Sequence, residues 1–306
     1  MIDHSQIKYP YLPSGKSFKY VAHDNEFMIE ARDARQRLSG DPSYPVGAVL
    51  VKDGRIIAKV GNGYNQGKQI HICPRIVLEC PSGTGYELCK LHDDPGHAEQ
   101  MAVKIAQEQG IEIKGADLYM YGHWWACEPC WNKLINAGVR DVYLVDDAHE
   151  RFSRDKVYTE CLTPSIQSVY ISGALSNLPE DEKAQIKLFY ENLACACREI
   201  GCSAYVPHLK TDPDAFANLS CKEVFDIDVI ALLAHDVIVS DVTYPSLGVG
   251  GELILAQQAG KKIILLSQKG SKVSRFALGN PAVVYHAEYD DHAQACRFLK
   301  NILRQL

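Results

Sequence analysis

The chain has no apolar run long enough to cross a bilayer as a helix, and its opening residues show no signal-peptide pattern. It has no long basic run either. Its 32 Lys and Arg are outnumbered by 38 Asp and Glu, for a formal net charge of −6. A nucleic-acid polymer needs lysine and arginine against its phosphates, so that class of partner is disfavoured while a mononucleotide is not. Internal repeats and low-complexity tracts are missing, which excludes solenoids and biased tails. Cysteine is not scarce, but its count of 11 is odd. With two of them assigned to a metal below, that points to a reducing cytoplasm rather than a disulfide framework. What remains is 306 residues, 46% hydrophobic, enough for two domains each with its own core.

A metal-binding pattern stands out in the first half. His97-Ala-Glu99 is followed by Cys127-Glu-Pro-Cys130. One His and two Cys give zinc three protein ligands and leave one tetrahedral position open, as in catalytic sites. Zinc held this way makes hydroxide available near neutral pH. Glu99, two residues past His97, is placed to move protons without being a ligand. This order of residues is the signature of zinc-dependent nucleobase deaminases. Pro95 precedes a helical pattern from His97 to about Gln109, with Gly110 as the stop. Cys127 and Cys130 open a second helix ending near Gly138. Their spacing puts both sulfurs on one face, and the helix start favours thiolates. Either motif alone is weak, and Cys-x-x-Cys alone reads as a redox pair. Together, each opening a helix, they are specific.

The flanks narrow the class. Asp41-Pro-Ser-Tyr-Pro-Val-Gly-Ala-Val-Leu-Val-Lys-Asp-Gly-Arg55 reads as a turn, a buried strand and a hairpin turn, and Gly61-Asn-Gly-Tyr-Asn65 follows a second strand. Cys73-Pro-Arg75, Ser82-Gly83, Tyr86 and Cys89 then lead to the His-Ala-Glu motif. Over about residues 25–147 this series resembles the deoxycytidylate deaminase family. The resemblance implies a zinc-dependent, cytidine-deaminase-like three-layer domain. It implies His97, Cys127 and Cys130 as ligands, Glu99 as proton shuttle and Asn65 as a nucleotide contact. The chain departs from the family at Ala126, where Pro is usual, and at His123, Trp124 and Trp125. The two Trp rings read equally as core or as pocket wall. His71, Cys73, Cys80, Cys89 and His92 form a second Cys/His group, which could be a structural zinc site of the kind some members of that family have.

Residues 151–166 are polar and unpatterned and read as a linker between a first domain, 1–150, and a second, 167–306. The second half alternates strand and helix: a strand at 168–172, a helix over 180–200, a strand at 204–206, a helix over 221–234, a strand at 236–240, and another at 262–266. Such alternation predicts a Rossmann-like, doubly wound parallel sheet with ligands at the strand C-termini. Pro245-Ser-Leu-Gly-Val-Gly250 reads as a loop there, with Glu252 at the start of the next helix. Glycines in that position let backbone N–H groups approach a phosphate.

Tyr170-Ile-Ser-Gly173, Asp228 and Asp241-Val-Thr-Tyr-Pro-Ser-Leu-Gly-Val-Gly-Gly-Glu252 together resemble the nucleoside 2-deoxyribosyltransferase superfamily, in its branch of 2′-deoxynucleoside 5′-monophosphate N-glycosidases. The resemblance covers about residues 168–304. It implies Glu252 as the nucleophile at C1′, Asp228 handling protons at the leaving base, and Tyr170 at the sugar. Gly173, Ser246 and Gly248 would hold the substrate, the last two at its 5′-phosphate. Ser274 would reach the phosphate of a neighbouring subunit, which implies a homodimer. The hydrolases carry a basic residue after the first glycine loop where this chain has Ser176.

The expectation is a bifunctional, cytoplasmic, zinc-dependent hydrolase of small nucleotides. One domain would deaminate a cytidine or deoxycytidine monophosphate, with a 5-substituted cytosine open. The other would hydrolyse the N-glycosidic bond of the resulting uracil-type nucleotide to free base and sugar 5-phosphate. A deoxyribosyl transferase, a nucleotide-depleting defence effector and a sensor with one inactive domain remain alternatives.

Overall fold

The computed structural model describes residues 4–63, 71–92, 95–176 and 178–306. The chain is mixed α/β, with a cytidine-deaminase-like domain and a Rossmann-like parallel sheet. It divides into two compact units, the first made of Met1–Arg75 and Glu79–Thr163, the second of Pro164–Leu306 with Ile76–Leu78.

Up to Thr163 the chain runs β1 (Phe18–Val21), α1 (Glu26–Leu38), β2 (Gly47–Lys52), β3 (Arg55–Gly61), α2 (Pro74–Val77), α3 (Ala98–Glu108), β4 (Asp117–Tyr121), α4 (Glu128–Asn136), β5 (Val142–Val145), α5 (Ala148–Arg151) and α6 (Arg154–Cys161). The strand order is β1-β5-β4-β2-β3. β2 is antiparallel to β3 and β4, while β4, β5 and β1 are parallel. The hairpin joining β2 and β3 turns on Asp53 and Gly54, at φ 50° and 73°, the positive values that a two-residue turn of this hand requires. β2 carries the near-continuous apolar run Gly-Ala-Val-Leu-Val and is buried along its length, as a central strand covered on both faces should be. α1 lies directly on it. A Cβ at Gly47 would stand 2.2 Å from the Ala31 carbonyl oxygen, so only glycine allows that approach.

Residues 151–161, the larger part of the expected irregular linker, instead take in the end of α5 and all of α6. Phe152 and Val157 are the reason: both are buried in the core of the first unit. Two apolar anchors in a polar stretch are too few to register as a helical period.

The second unit runs β6 (Ser168–Ser172), α7 (Lys183–Glu199), β7 (Ser203–Tyr205), α8 (His208–Thr211), α9 (Cys221–Ala234), β8 (Val237–Asp241), α10 (Leu247–Gln258), β9 (Lys262–Gln268), α11 (Arg275–Leu278), β10 (Val283–Tyr289) and α12 (His292–Leu303). All its pairings are parallel, in the order β10-β9-β8-β6-β7. The order reverses between β6 and β8, so the crevice of this doubly wound sheet opens at their C-terminal ends, Ser172 and Asp241. The expected loop through Gly250 is shorter than the glycines suggest. α10 already begins at Leu247, because the Ser246 hydroxyl caps it by accepting from Val249 N–H at 3.3 Å. Gly248, Gly250 and Gly251 therefore lie in the first turns of a helix. Among the described residues no helix is long and apolar enough to cross a membrane.

Candidate active sites

In the first unit, His97 stands immediately before α3 and Cys127 immediately before α4, with Cys130 in the first turn of α4. The two helix starts converge. His97 Nδ1 is 3.3 Å from Cys130 Sγ and 3.5 Å from Cys127 Sγ, and the two sulfurs are 3.3 Å apart. Zinc bonds of about 2.0–2.1 Å to nitrogen and about 2.3 Å to sulfur, at tetrahedral angles, need donors separated by about 3.5–3.8 Å. The donor set fits that ion with a shift of a few tenths of an ångström. Its charge state fits too. Contact with Cys130 and then with His97 pulls the Cys127 thiol down to about 4, while the same contact and burial push Cys130 up. A buried thiolate beside a second sulfur is an arrangement that a divalent cation stabilises.

Glu99 lies in the first turn of α3, and its carboxyl is pushed up to about 7 by burial, against the pull of His97. A carboxyl poised near neutrality both takes and gives a proton, as a shuttle must. Around this centre, Tyr86 meets the His97 ring edge-on at 4.6 Å and carries Arg75 over its own face at 4.3 Å. His123 is held down to about 3 by burial and then by His97. Its Nδ1 accepts from Trp125 N–H at 3.2 Å, which leaves the ring proton on Nε2. Trp125 is in the core, whereas Trp124 is partly buried against Tyr9 and His149. Asn65 lies outside the described residues.

Of the second Cys/His group, the structure brings together His71, Cys73 and Cys89, with donor atoms within 4.8 Å of one another. His92 hydrogen-bonds Cys73 and stands 3.6 Å from Asp41. Cys80 does not join them and packs instead against Gly85, where an added Cβ would lie 2.9 Å from its sulfur.

In the second unit, Glu252 sits on α10 with its carboxylate against the C-terminal end of β6, an interior strand of the sheet. The Tyr170 phenol donates to Oε1 at 2.6 Å and the Ser172 hydroxyl to Oε2 at 2.5 Å. Burial raises the Glu252 carboxyl, these two donors oppose the rise, and the charge of Asp228 adds to it. Asp228, on α9, accepts from the Thr211 hydroxyl at 3.0 and 3.1 Å and from the Tyr205 phenol at 3.5 Å, and burial raises it as well. The Tyr170 and Tyr205 rings stack at 5.5 Å. Tyr170, Asp228 and Glu252 thus form one cluster of two interacting carboxyls and a phenol. Ser172, Thr211 and Tyr205 were missed in the sequence. For Ser172 a signal existed: it stands two residues after Tyr170 on one strand, hence on the same face.

Gly173 follows β6 directly, and a Cβ there would fall 2.3 Å from the Tyr190 ring, so packing alone demands glycine. Gly250 and Gly251 face open space, and a Cβ at Gly248 would have only the Ser246 hydroxyl near it, at 3.7 Å. Packing does not demand those glycines. Ser246 and Ser274 line one cavity of about 400 Å³ together with Lys272, Tyr244 and Asn280. Lys272 is a cation that the sequence pattern did not single out, two residues before Ser274.

Comparison with known proteins agrees with the two kinds of fold. Residues 21–146 match the family described as "Cytidine and deoxycytidylate deaminase zinc-binding region". The chain is similar to "ComE operon protein 2" of Bacillus subtilis (strain 168), 28% identical over 131 residues, 42% of this chain and 61% of that protein. It is also similar to "Putative 2'-deoxynucleoside 5'-phosphate N-hydrolase 1" of Thermofilum pendens, 36% identical over 78 residues, 25% of this chain and 54% of that protein. The chain therefore spans less than two thirds of the length of either relative. Among solved structures, the Clostridium botulinum CMP N-glycosidase BcmB superposes with a TM-score of 0.32 at 20% identity, covering 42% of this chain and 94% of that one.

Proposed function

We propose that the protein is a bifunctional nucleotide hydrolase. Its first unit deaminates a cytidine or deoxycytidine monophosphate. Its second cleaves the N-glycosidic bond of the uracil-type product. The observation that carries the reading is that one chain holds both a His97–Cys127–Cys130 donor set beside Glu99 and a Glu252 carboxylate gripped by Tyr170 beside Asp228.

In the deaminase site, His97, Cys127 and Cys130 would hold zinc, which supplies a water ionised near neutral pH. Glu99 takes one proton from the attacking water and gives it to ring N3, then takes the second from the oxygen now on C4 and gives it to the departing ammonia. The pyrimidine exchanges its C4–N bond for a C4–O bond. In the second site, a Glu252 oxygen forms a bond to C1′ as the C1′–N bond breaks, and Asp228 gives its proton to the leaving base. Water then attacks C1′, its proton goes to Asp228, and Glu252 leaves as a carboxylate. The Glu252 and Asp228 carboxyls that burial raises suit this exchange of roles.

Ser246, Gly248 and Ser274, with Asn65 in the first unit, complete the substrate contacts of this reading. A second zinc at His71, Cys73 and Cys89, with His92 against Cys73, would tie down the segment ahead of His97. The protein acts as a homodimer in which Ser274 serves the neighbouring site. Support comes from exposed apolar side chains on the second unit: Leu247 is 96% and Phe276 74% exposed, and Phe225 and Ile230 on α9 are exposed as well. Mixing Ser274→Ala with Glu252→Gln protein then restores base release.

The deciding experiment is mass spectrometry of a cytidine and deoxycytidine nucleotide panel incubated with the protein, following ammonia loss and base release together. A panel in which neither occurs sinks the proposal. Base release directly from the cytosine nucleotide would reverse the order of the two steps.

A further inference from the structure

We propose that Ser172 is a positioning residue for Glu252, holding its carboxylate in the attacking orientation and stabilising it when it leaves. The inference rests on the glycosidase reading above. Ser172 is the last residue of β6, its side chain is fully buried, and its hydroxyl donates to Oε2 at 2.5 Å. Tyr170, two residues earlier on the same face, donates to Oε1 at 2.6 Å. A carboxylate held by one donor still turns about its terminal bond. Held at both oxygens, it is fixed in its plane. The strand period therefore supplies a clamp, one donor per oxygen.

The charge of the site makes that clamp matter. The titratable groups facing Glu252 are Tyr170 from β6, Asp228 from α9 and Tyr205 from β7. Among the described residues no lysine or arginine is one of them. A buried anion without a cation depends on neutral donors, and here those are one phenol and one hydroxyl. The demand recurs in both steps. As the C1′–O bond to Glu252 forms, the C1′–N pair leaves with the base and takes the Asp228 proton. As water replaces Glu252 at C1′, the carboxylate regains its full charge, and the Ser172 hydroxyl is already pointed at it.

A buried serine at this level of the sheet is not sufficient for the role. Ser240 is the register partner of Ser172 on β8, on the same face and equally buried, yet its hydroxyl has no hydrogen-bond partner. It is a control supplied by the fold.

The test compares the full-length parent with Ser172→Ala, Ser172→Thr and Ser240→Ala. Base release from dUMP and dCMP is measured from about pH 5 to pH 9, with the carbon-13 titration of the Glu252 carboxyl and the melting temperature of each protein. Ser172→Ala is expected to lower kcat about 10- to 100-fold, with KM within about twofold of the parent. It should also move the acidic limb of the kcat profile, and the carbon-13 titration, up by about one pH unit. Ser172→Thr should recover most of the loss, and Ser240→Ala should match the parent. A Ser172→Ala enzyme with the parental profile overturns the proposal, as does an equal loss in Ser240→Ala. A parent that releases no base from either nucleotide overturns the glycosidase reading and the catalytic role with it. The carbon-13 titration then separates that result from a clamp that never formed, in which Glu252 titrates alike with and without Ser172.

Discussion

Tyr170 and Glu252 stand 82 residues apart in the chain and meet in a 2.6 Å hydrogen bond from phenol to carboxylate. That contact joins the first strand of the second unit to the helix that opens beyond β8, across the point where the strand order reverses. It carries a prediction. Tyr170→Phe keeps the stacked ring and removes the donor, so base release should fall by about 10- to 100-fold. Glu252→Gln should stop base release altogether while ammonia release continues, so that a uracil-type nucleotide accumulates. Chromatography of the reaction mixture shows this directly. Loss of both activities in folded Glu252→Gln protein would mean one composite site.

The first-unit cluster separates metal binding from proton transfer. His97→Ala, or Cys127→Ala with Cys130→Ala, removes donors now 3.3–3.5 Å apart and should lower bound zinc by about one ion per chain. Glu99→Gln should keep the zinc and lose deamination by at least about 100-fold, since Glu99 is buried beside the donors and is not counted among them. Elemental analysis and an ammonia assay on the same preparations decide. Full zinc in the double cysteine variant would refute the ligand assignment.

Asp241 links burial to stability. It is 2% exposed at the C-terminal end of β8, and burial pushes it from 3.8 to about 6, against hydrogen bonds from Thr243 and Tyr289. A carboxyl raised in the folded state binds its proton more tightly there than in the unfolded chain. Its stabilising contribution is complete below the unfolded value and is lost as pH rises through about 6. The shift of about two units corresponds to about 3 kcal/mol. Asp241→Asn cannot ionise, yet keeps the oxygen that accepts from Thr243 and Tyr289. Its denaturation free energy should therefore gain on the parent by about 3 kcal/mol between about pH 4 and pH 7. Parallel pH curves for the two proteins would show that Asp241 is not raised.

How much of this was open to reading from the chain depends on distance in sequence. The convergence of His97, Cys127 and Cys130 was legible because each motif is short and opens a helix, so these residues and Glu99 are ordered locally. The parallel sheet of the second unit was legible because strands such as 237–241 are buried throughout and open on a run of three apolar residues, Val-Ile-Val. The start of α10 was misread because glycines outweighed the cap at Ser246 in the pattern. α6 was missed because its anchor, Val157, is one buried residue among polar ones. Thr211 could not be found at all. Its role comes from facing Asp228, 17 positions away and across α8 and α9, and no spacing rule encodes that.

Lys272 gives the last prediction. Position 176, after the first glycine loop, is a serine and not a cation, so a 5′-phosphate needs its cation from elsewhere. Lys272 lines the same cavity as Ser246 and Ser274, and its side chain is exposed. Ser246 also stands at the start of α10, where the helix N-terminus favours an anion. A phosphate bound there would meet a positive charge, the Ser246 hydroxyl and the backbone N–H groups at the start of α10, none of which a nucleoside engages. Lys272→Met should therefore raise KM for a nucleoside monophosphate by about 10- to 100-fold and leave the matching nucleoside almost unchanged. Lys272→Arg should retain most of the preference. Ser246→Ala should act in the same direction with a smaller effect, since α10 also loses its cap. Steady-state base release from the paired substrates at low and high salt is the measurement, because a contact to an exposed cation weakens with ionic strength. Equal KM changes for nucleotide and nucleoside in Lys272→Met would remove the phosphate from this cavity. A parent without any phosphate preference would make the second unit a nucleoside enzyme.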